Sequence, residues 1–165
     1  MAISTSKSFR IGITDAAAVL LIYMVPTLSH AFSIPFFILD PMRIAVLGAL
    51  LLTRNWKNSL VLAVTLPLFS ALVGGHPLFP KCVLIAIELS ANVLLLNWMM
   101  KKMNAGIAAF ASILLSKVLY YALKYGVLAA GLMQMELVST AIWSQLIVAC
   151  AISAGFALVF KNQSK

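Results

Sequence analysis

Carboxylates are scarce in this chain: Asp15, Asp40, Glu88 and Glu136 are the only four acidic side chains among 165 residues. A hydrolytic metal centre built on an acidic cluster has too little to draw on. Cysteine is nearly absent too. Cys82 sits near one end of an apolar run and Cys150 well inside another, so both read as small, unpaired apolar residues. The two histidines, His30 and His76, lack HxxxH or HExxH spacing and read as loop residues without a metal. A GxxxxGK[ST] loop is missing, which excludes a P-loop nucleotidase, and no Ser-His-Asp set stands out. No catalytic residue, cofactor or metal is expected. Charged residues of either sign make up only 10% of the chain.

What fills the space is apolar. Hydrophobic residues make up 63% of the sequence, and the mean hydropathy is +1.06. A soluble domain of this size cannot hide that much apolar surface, so the chain is expected to live in a membrane. The net charge of +8 arises from basic residues scattered singly between apolar runs. That is the pattern of a positive-inside membrane protein and not of a nucleic-acid binder.

A spanning helix needs ~20 apolar residues. Six such runs stand out, at about 11–32, 38–53, 58–74, 80–100, 105–130 and 137–160. The expected fold is a single all-α, six-helix transmembrane domain covering residues 1–165. The second and third runs are short and lie beside Pro35, Pro41, Pro67 and "GGHP", where tilted or broken helices are expected. "LSHA" ending at Ala31 resembles a signal-peptidase site, but Asp15 interrupts the start of the run, and a retained first helix is expected. Lys7/Arg10, Arg54/Lys57, Lys101/Lys102 and Lys161/Lys165 all fall on one side of six spans, which predicts cytoplasmic termini.

Arg43, Lys81, Lys117 and Lys124 remain outside that pattern. At ~1.5 Å per residue, Lys124 lies ~10 Å and Lys117 ~20 Å below the outer end of the fifth helix. Glu88 and Asn92 lie ~12 Å and ~18 Å below the outer end of the fourth. These depths pair Glu88 with Lys124 and Asn92 with Lys117. A lone ion at the bilayer centre costs roughly 2.5–3.5 kcal/mol on insertion scales, so Lys117 needs a partner. One reading is a structural bridge from Glu88 to Lys117 or Lys124. The other is a polar cavity, open to the outside, in which Lys117, Lys124, Glu88, Asn92, Tyr121, Arg43 and Lys81 hold an anionic or polar solute. The surplus of bases over one deep acid favours the cavity. The tyrosines suit either a cavity wall or an interfacial belt.

"HAFSIPFFILDPMR", residues 30–43, is long and apolar for an outer turn, and reads as a lid or as a re-entrant interfacial segment. Asp40 before Pro41 reads as a helix N-cap with proline in the first turn, with ligand contact as the alternative. Arg43 points either to the cavity or to lipid headgroups. Gly12/Ala16 and Ala45/Ala49 are small-xxx-small pairs, suited either to internal packing or to docking a partner helix.

Taken together, Gly12/Ala16 with its alanine run, the 30–43 segment, "GGHPLFP" and the Glu88/Asn92 and Lys117/Tyr121/Lys124 faces resemble the S-components of energy-coupling factor (ECF) vitamin transporters. The resemblance covers the whole chain in architecture. It implies a high-affinity binding subunit in a bacterial cytoplasmic membrane, capturing a micronutrient from outside. It further implies a transmembrane coupling subunit docked on Gly12, Ala16, Ala45 and Ala49, and ATPase subunits that supply the energy. Two other classes compete: a non-catalytic scaffold similar to rod-shape morphogenesis proteins, and a membrane hydrolase using Glu88 and the histidines. Glu88 lies a turn or more deeper than His76, which weighs against the hydrolase.

Overall fold

Lipid offers a backbone no hydrogen-bonding partner, so each apolar run must satisfy its own N–H and C=O groups as a helix. The computed structural model describes residues 2–74, 77–131, 136–138 and 141–161. It is 87% helical. The helices are α1 (Ala2–Phe32), α2 (Pro41–Thr53), α3 (Trp56–Gly74), α4 (Phe79–Met99), α5 (Ala105–Ala129) and α6 (Ile142–Lys161), with a 3-10 turn at Phe36–Leu39. Six segments are long and apolar enough to cross a membrane, the second combining the 3-10 turn with α2. Large apolar side chains face outward along the helices, among them Leu20, Leu52, Val61, Leu94, Val118 and Ile147. The chain is a multi-pass membrane protein.

Helix ends depart from the sequence expectation where hydropathy carries no information about them. α1 starts at Ala2, well before its apolar run, and its 31 residues reach ~46 Å, beyond a ~30 Å hydrocarbon core. α6 starts at Ile142, later than expected. Other ends have local causes. Ser33, with φ 53°, turns the chain out of α1, and Pro35 disfavours helix at Ile34. Arg54, with φ 52°, ends α2 and donates its N–H to the Leu50 carbonyl at 2.9 Å. The Asn104 side chain caps α5, accepting from the Gly106 N–H at 2.9 Å.

α2 is the central helix. It packs against α1, α3, α4 and α6, while α1 and α6 do not touch each other among the described residues. One side of α2 places Ala45, Val46 and Ala49 against Ile22 of α1, Leu62 and Leu66 of α3, and Val93 of α4. The other places Leu47 and Leu50 against Leu96 of α4, Ala108 and Ile113 of α5, and Phe156 of α6. At the opposite end from the 3-10 turn, Arg10 donates to the Leu52 carbonyl at 2.7 Å. Asn58 donates to Asp15 at 2.7 Å, giving that acid a partner on α3.

The 3-10 turn touches both α1 and α6 and bridges the gap between them. Ser29 of α1 pins this segment, its hydroxyl accepting from the Phe36 N–H at 3.2 Å. α2 itself has only 13 residues, ~20 Å of helix, too short to cross a bilayer alone. Its first turn lies beside Glu88, nine residues into α4, which is ~14 Å of helix. Segment 33–40 therefore carries the chain down into the bundle before α2 begins.

α5 and α6 approach closely at Gly106, where an added Cβ would stand 2.7 Å from Cβ of Ala157 and 3.2 Å from the Ser153 carbonyl oxygen. Gly106→Val is expected to cost about 1–3 kcal/mol by overpacking. Gly126→Ala meets open space, and is expected to leave stability unchanged or raise it by up to ~1 kcal/mol. Reversible unfolding in mixed detergent checks both. Equal effects would contradict the α5–α6 contact.

Candidate functional site

Four charged side chains meet where α2, α4 and α5 converge. Arg43, one turn into α2, donates through Nε to Oδ2 of Asp40 at 2.9 Å. Its Nη2 donates to Oε1 of Glu88 on α4. Lys117 on α5 closes the figure, with Nζ 3.2 Å from Oδ2 of Asp40 and 3.2 Å from Oε1 of Glu88. Two acids face two bases, and their formal charges cancel. Each acid touches both bases, an arrangement that offsets the cost of taking four ions out of water better than isolated pairs do. The two inner members, Arg43 and Glu88, have side chains 1% and 5% exposed, while Lys117 and Asp40 keep 23% and 27%.

This cluster forms part of the wall of a cavity of about 1030 Å³. That lies at the upper end of the range for small-molecule sites. α1 contributes Ile22 and Ser29, α3 Ser70, α4 Lys81 and Ile85, α5 Tyr120 and Tyr121, and α6 Gln145. Residues 33–35, 37 and 38 also line it, so the segment between α1 and α2 is one of its walls. Gln145 Nε2 donates to Tyr121 Oη at 2.7 Å, tying α6 to α5 at the cavity edge. The rings of Tyr120 and Tyr121 stand edge to face, 5.3 Å apart.

Of the residues expected to surround a cavity, Lys117, Glu88, Tyr121, Arg43 and Lys81 line this one. Lys81 makes no ion pair among the described residues. Lys124 and Asn92 lie elsewhere. Lys124 is fully buried, but its Nζ donates to the backbone carbonyls of Glu136 at 2.6 Å and Leu137 at 2.9 Å. Residues 136 and 137 supply those acceptors, which helical spacing cannot reveal. The Tyr120 ring lies between the two lysines, with centroid 5.8 Å from Nζ of Lys117 and 5.9 Å from Nζ of Lys124. Asn92, one turn below Glu88, is buried and donates to Ser112 Oγ at 3.0 Å, joining α4 to α5. The depth pairing of Glu88 with Lys124 and Asn92 with Lys117 is thus corrected to Glu88 with Lys117 and Asn92 with Ser112.

Asp40 stands at the N-cap position of α2 with Pro41 in the first turn, as expected, at φ 51°, but its side chain makes no capping hydrogen bond. Its carboxylate belongs to the charged cluster, which reduces the surplus of bases lining the cavity to Lys81. The available signal was Arg43 three residues later, on the same face of a helix. Tyr120, one of the tyrosines read as cavity wall or interfacial belt, lines the cavity, and Gln145, inside the run read as the sixth span, was missed.

The docking residues divide. Ala45 and Ala49 are 8% and 1% exposed within the core, so they serve internal packing and are not available to a partner. Gly12 and Ala16 lie exposed on α1. His30, expected in a loop, lies in the last turn of α1 and lines the cavity, and His76 lies outside the described residues.

Removing Arg43 leaves a buried Glu88 and a partly buried Asp40 with one lysine between them. Arg43→Met is therefore expected to cost about 3–5 kcal/mol. Lys117→Met is expected to cost distinctly less, because Arg43 still reaches both acids and Lys117 is partly solvated. Equilibrium unfolding in detergent checks the order, and the reverse order would contradict the geometry. Comparison of the chain with protein-family models, with curated proteins and with solved structures finds no match.

Proposed function

We propose that this chain is the solute-binding membrane subunit of an ECF-type importer, sited in a bacterial cytoplasmic membrane with both termini inside. It takes a polar, vitamin-sized micronutrient from the outer side and is not itself an enzyme. The observation that carries this reading is the cavity of about 1030 Å³ set against a charged cluster among six apolar helices. A scaffold needs a rigid bundle, but it has no use for a hollow of that volume with polar groups converging on it. The charges of Asp40, Arg43, Glu88 and Lys117 balance, which leaves Lys81 as the one lining lysine or arginine without an ion pair among the described residues, so the argument for an anionic solute from surplus base weakens and "polar" is the better description.

Energy for release would come from ATPase subunits acting through a transmembrane coupling subunit, since this chain carries no nucleotide loop. Gly12 and Ala16 on α1 are the surface offered to that coupling subunit, small residues that let a helix approach closely in lipid.

The test is purification from the native membrane followed by mass spectrometry of whatever small molecule is retained. A stoichiometric polar solute, with an ATPase pair co-purifying, is the expected result. Ala16→Trp is expected to release the partner subunits while the solute stays bound. A chain that is empty at every stage of purification and brings down only cell-shape proteins would overturn the reading in favour of a scaffold.

A further inference from the structure

Within the charged cluster the four members do not face the cavity equally. Arg43 and Glu88, 1% and 5% exposed, form the buried side, and Lys117 and Asp40, 23% and 27% exposed, form the side a ligand can reach. The accessible side is thus a donor beside an acceptor, Nζ of Lys117 3.2 Å from Oδ2 of Asp40. Both of the cluster's bonds to Asp40 fall on that one oxygen. Oδ1 takes part in neither of these two bonds and has capacity to accept.

We propose that the Asp40–Lys117 edge recognises a neutral carbonyl with an adjacent N–H, as found in a lactam, cyclic imide or urea. The carbonyl accepts from Lys117 and the N–H donates to Asp40. This rests on the solute-binding reading above and specifies the chemistry of its ligand. Charge supports neutrality. A carboxylate placed against Lys117 would also stand beside Asp40 and Glu88, and an ammonium placed against Asp40 would stand beside Arg43 and Lys117. A neutral donor–acceptor edge leaves the two-against-two balance intact. Lys81 also lines the cavity, but it stands seven residues above Glu88 on α4, ~10 Å along the helix.

The donor side of the edge has capacity as well: Nζ of Lys117 carries three hydrogens and meets two acceptors of the cluster, Asp40 and Glu88, which leaves a third for a ligand carbonyl. Tyr120 and Tyr121, beside the same edge, give a flat ring an aromatic wall.

The probes are uracil, which carries the donor–acceptor edge; 1,3-dimethyluracil, which keeps the carbonyls but has no N–H; and orotate, the anionic uracil carboxylate. Each is titrated by calorimetry into the full-length, detergent-solubilised protein freed of retained solute. Uracil is expected to bind at least tenfold more tightly than either of the other two. Asp40→Asn is expected to lower uracil binding at least tenfold. Should that variant fail to fold, the three-probe comparison on the unaltered chain still decides. Equal binding of uracil and dimethyluracil, or tighter binding of orotate, overturns the proposed edge and leaves solute binding standing. So does binding of none of the probes by a protein that was purified with a solute. Binding of none by a protein that never carried one overturns both.

Discussion

Charge held far from water has to be matched locally, and in this chain that requirement falls on Asp40, Arg43, Glu88 and Lys117. A single ion at the bilayer centre costs roughly 2.5–3.5 kcal/mol to insert, so each of the four is tolerable only in the company of the others. The demand reaches beyond the side chains. Asp40 and Arg43 meet Glu88 only if α2 starts deep in the bundle, and α2 starts deep only because segment 33–40 dips inward from the end of α1. The short second helix, the 3-10 turn bridging α1 and α6, and the cavity beneath it all follow from one placement.

That placement also governs packing. With its polar first turn fixed beside Glu88 and Lys117, α2 is free to be apolar on every remaining side, and it becomes the helix around which the others gather. Small residues at Ala45 and Ala49 bring α1 and α3 close to it, where the sequence alone left partner docking open. The hollow arises because α1 and α6 flank α2 without touching, and the 33–40 segment spans the space between them.

Much of this was legible in the sequence. The all-α class and the number of spans followed from run length, because a bilayer imposes its thickness on any apolar helix. Lys117 was recognisable as a group needing partners from its depth, and Glu88 as the deep acid. What could not be read was the path of the connections. Asp40 looked like a helix cap because an Asp-Pro step usually is one, and nothing local indicates that its carboxylate is needed elsewhere. Lys124 shares a helix face with Lys117, yet it is satisfied by carbonyls of the chain that follows α5, an acceptor set that leaves no residue-type signature. Asn92 was placed one partner off because depth counted along helices ignores their tilt and offset.

The central claim is that the four charges act as one unit, and a double-mutant cycle tests it most directly. Arg43→Met and Glu88→Gln are made singly and together, and unfolding free energies are measured in the same detergent. Each single change breaks the balance, whereas the double variant keeps the neutral pair of Asp40 and Lys117. The account predicts that the double variant loses less than the sum of the singles, with a coupling of about 1–3 kcal/mol. Losses that add to within ~0.5 kcal/mol would contradict it.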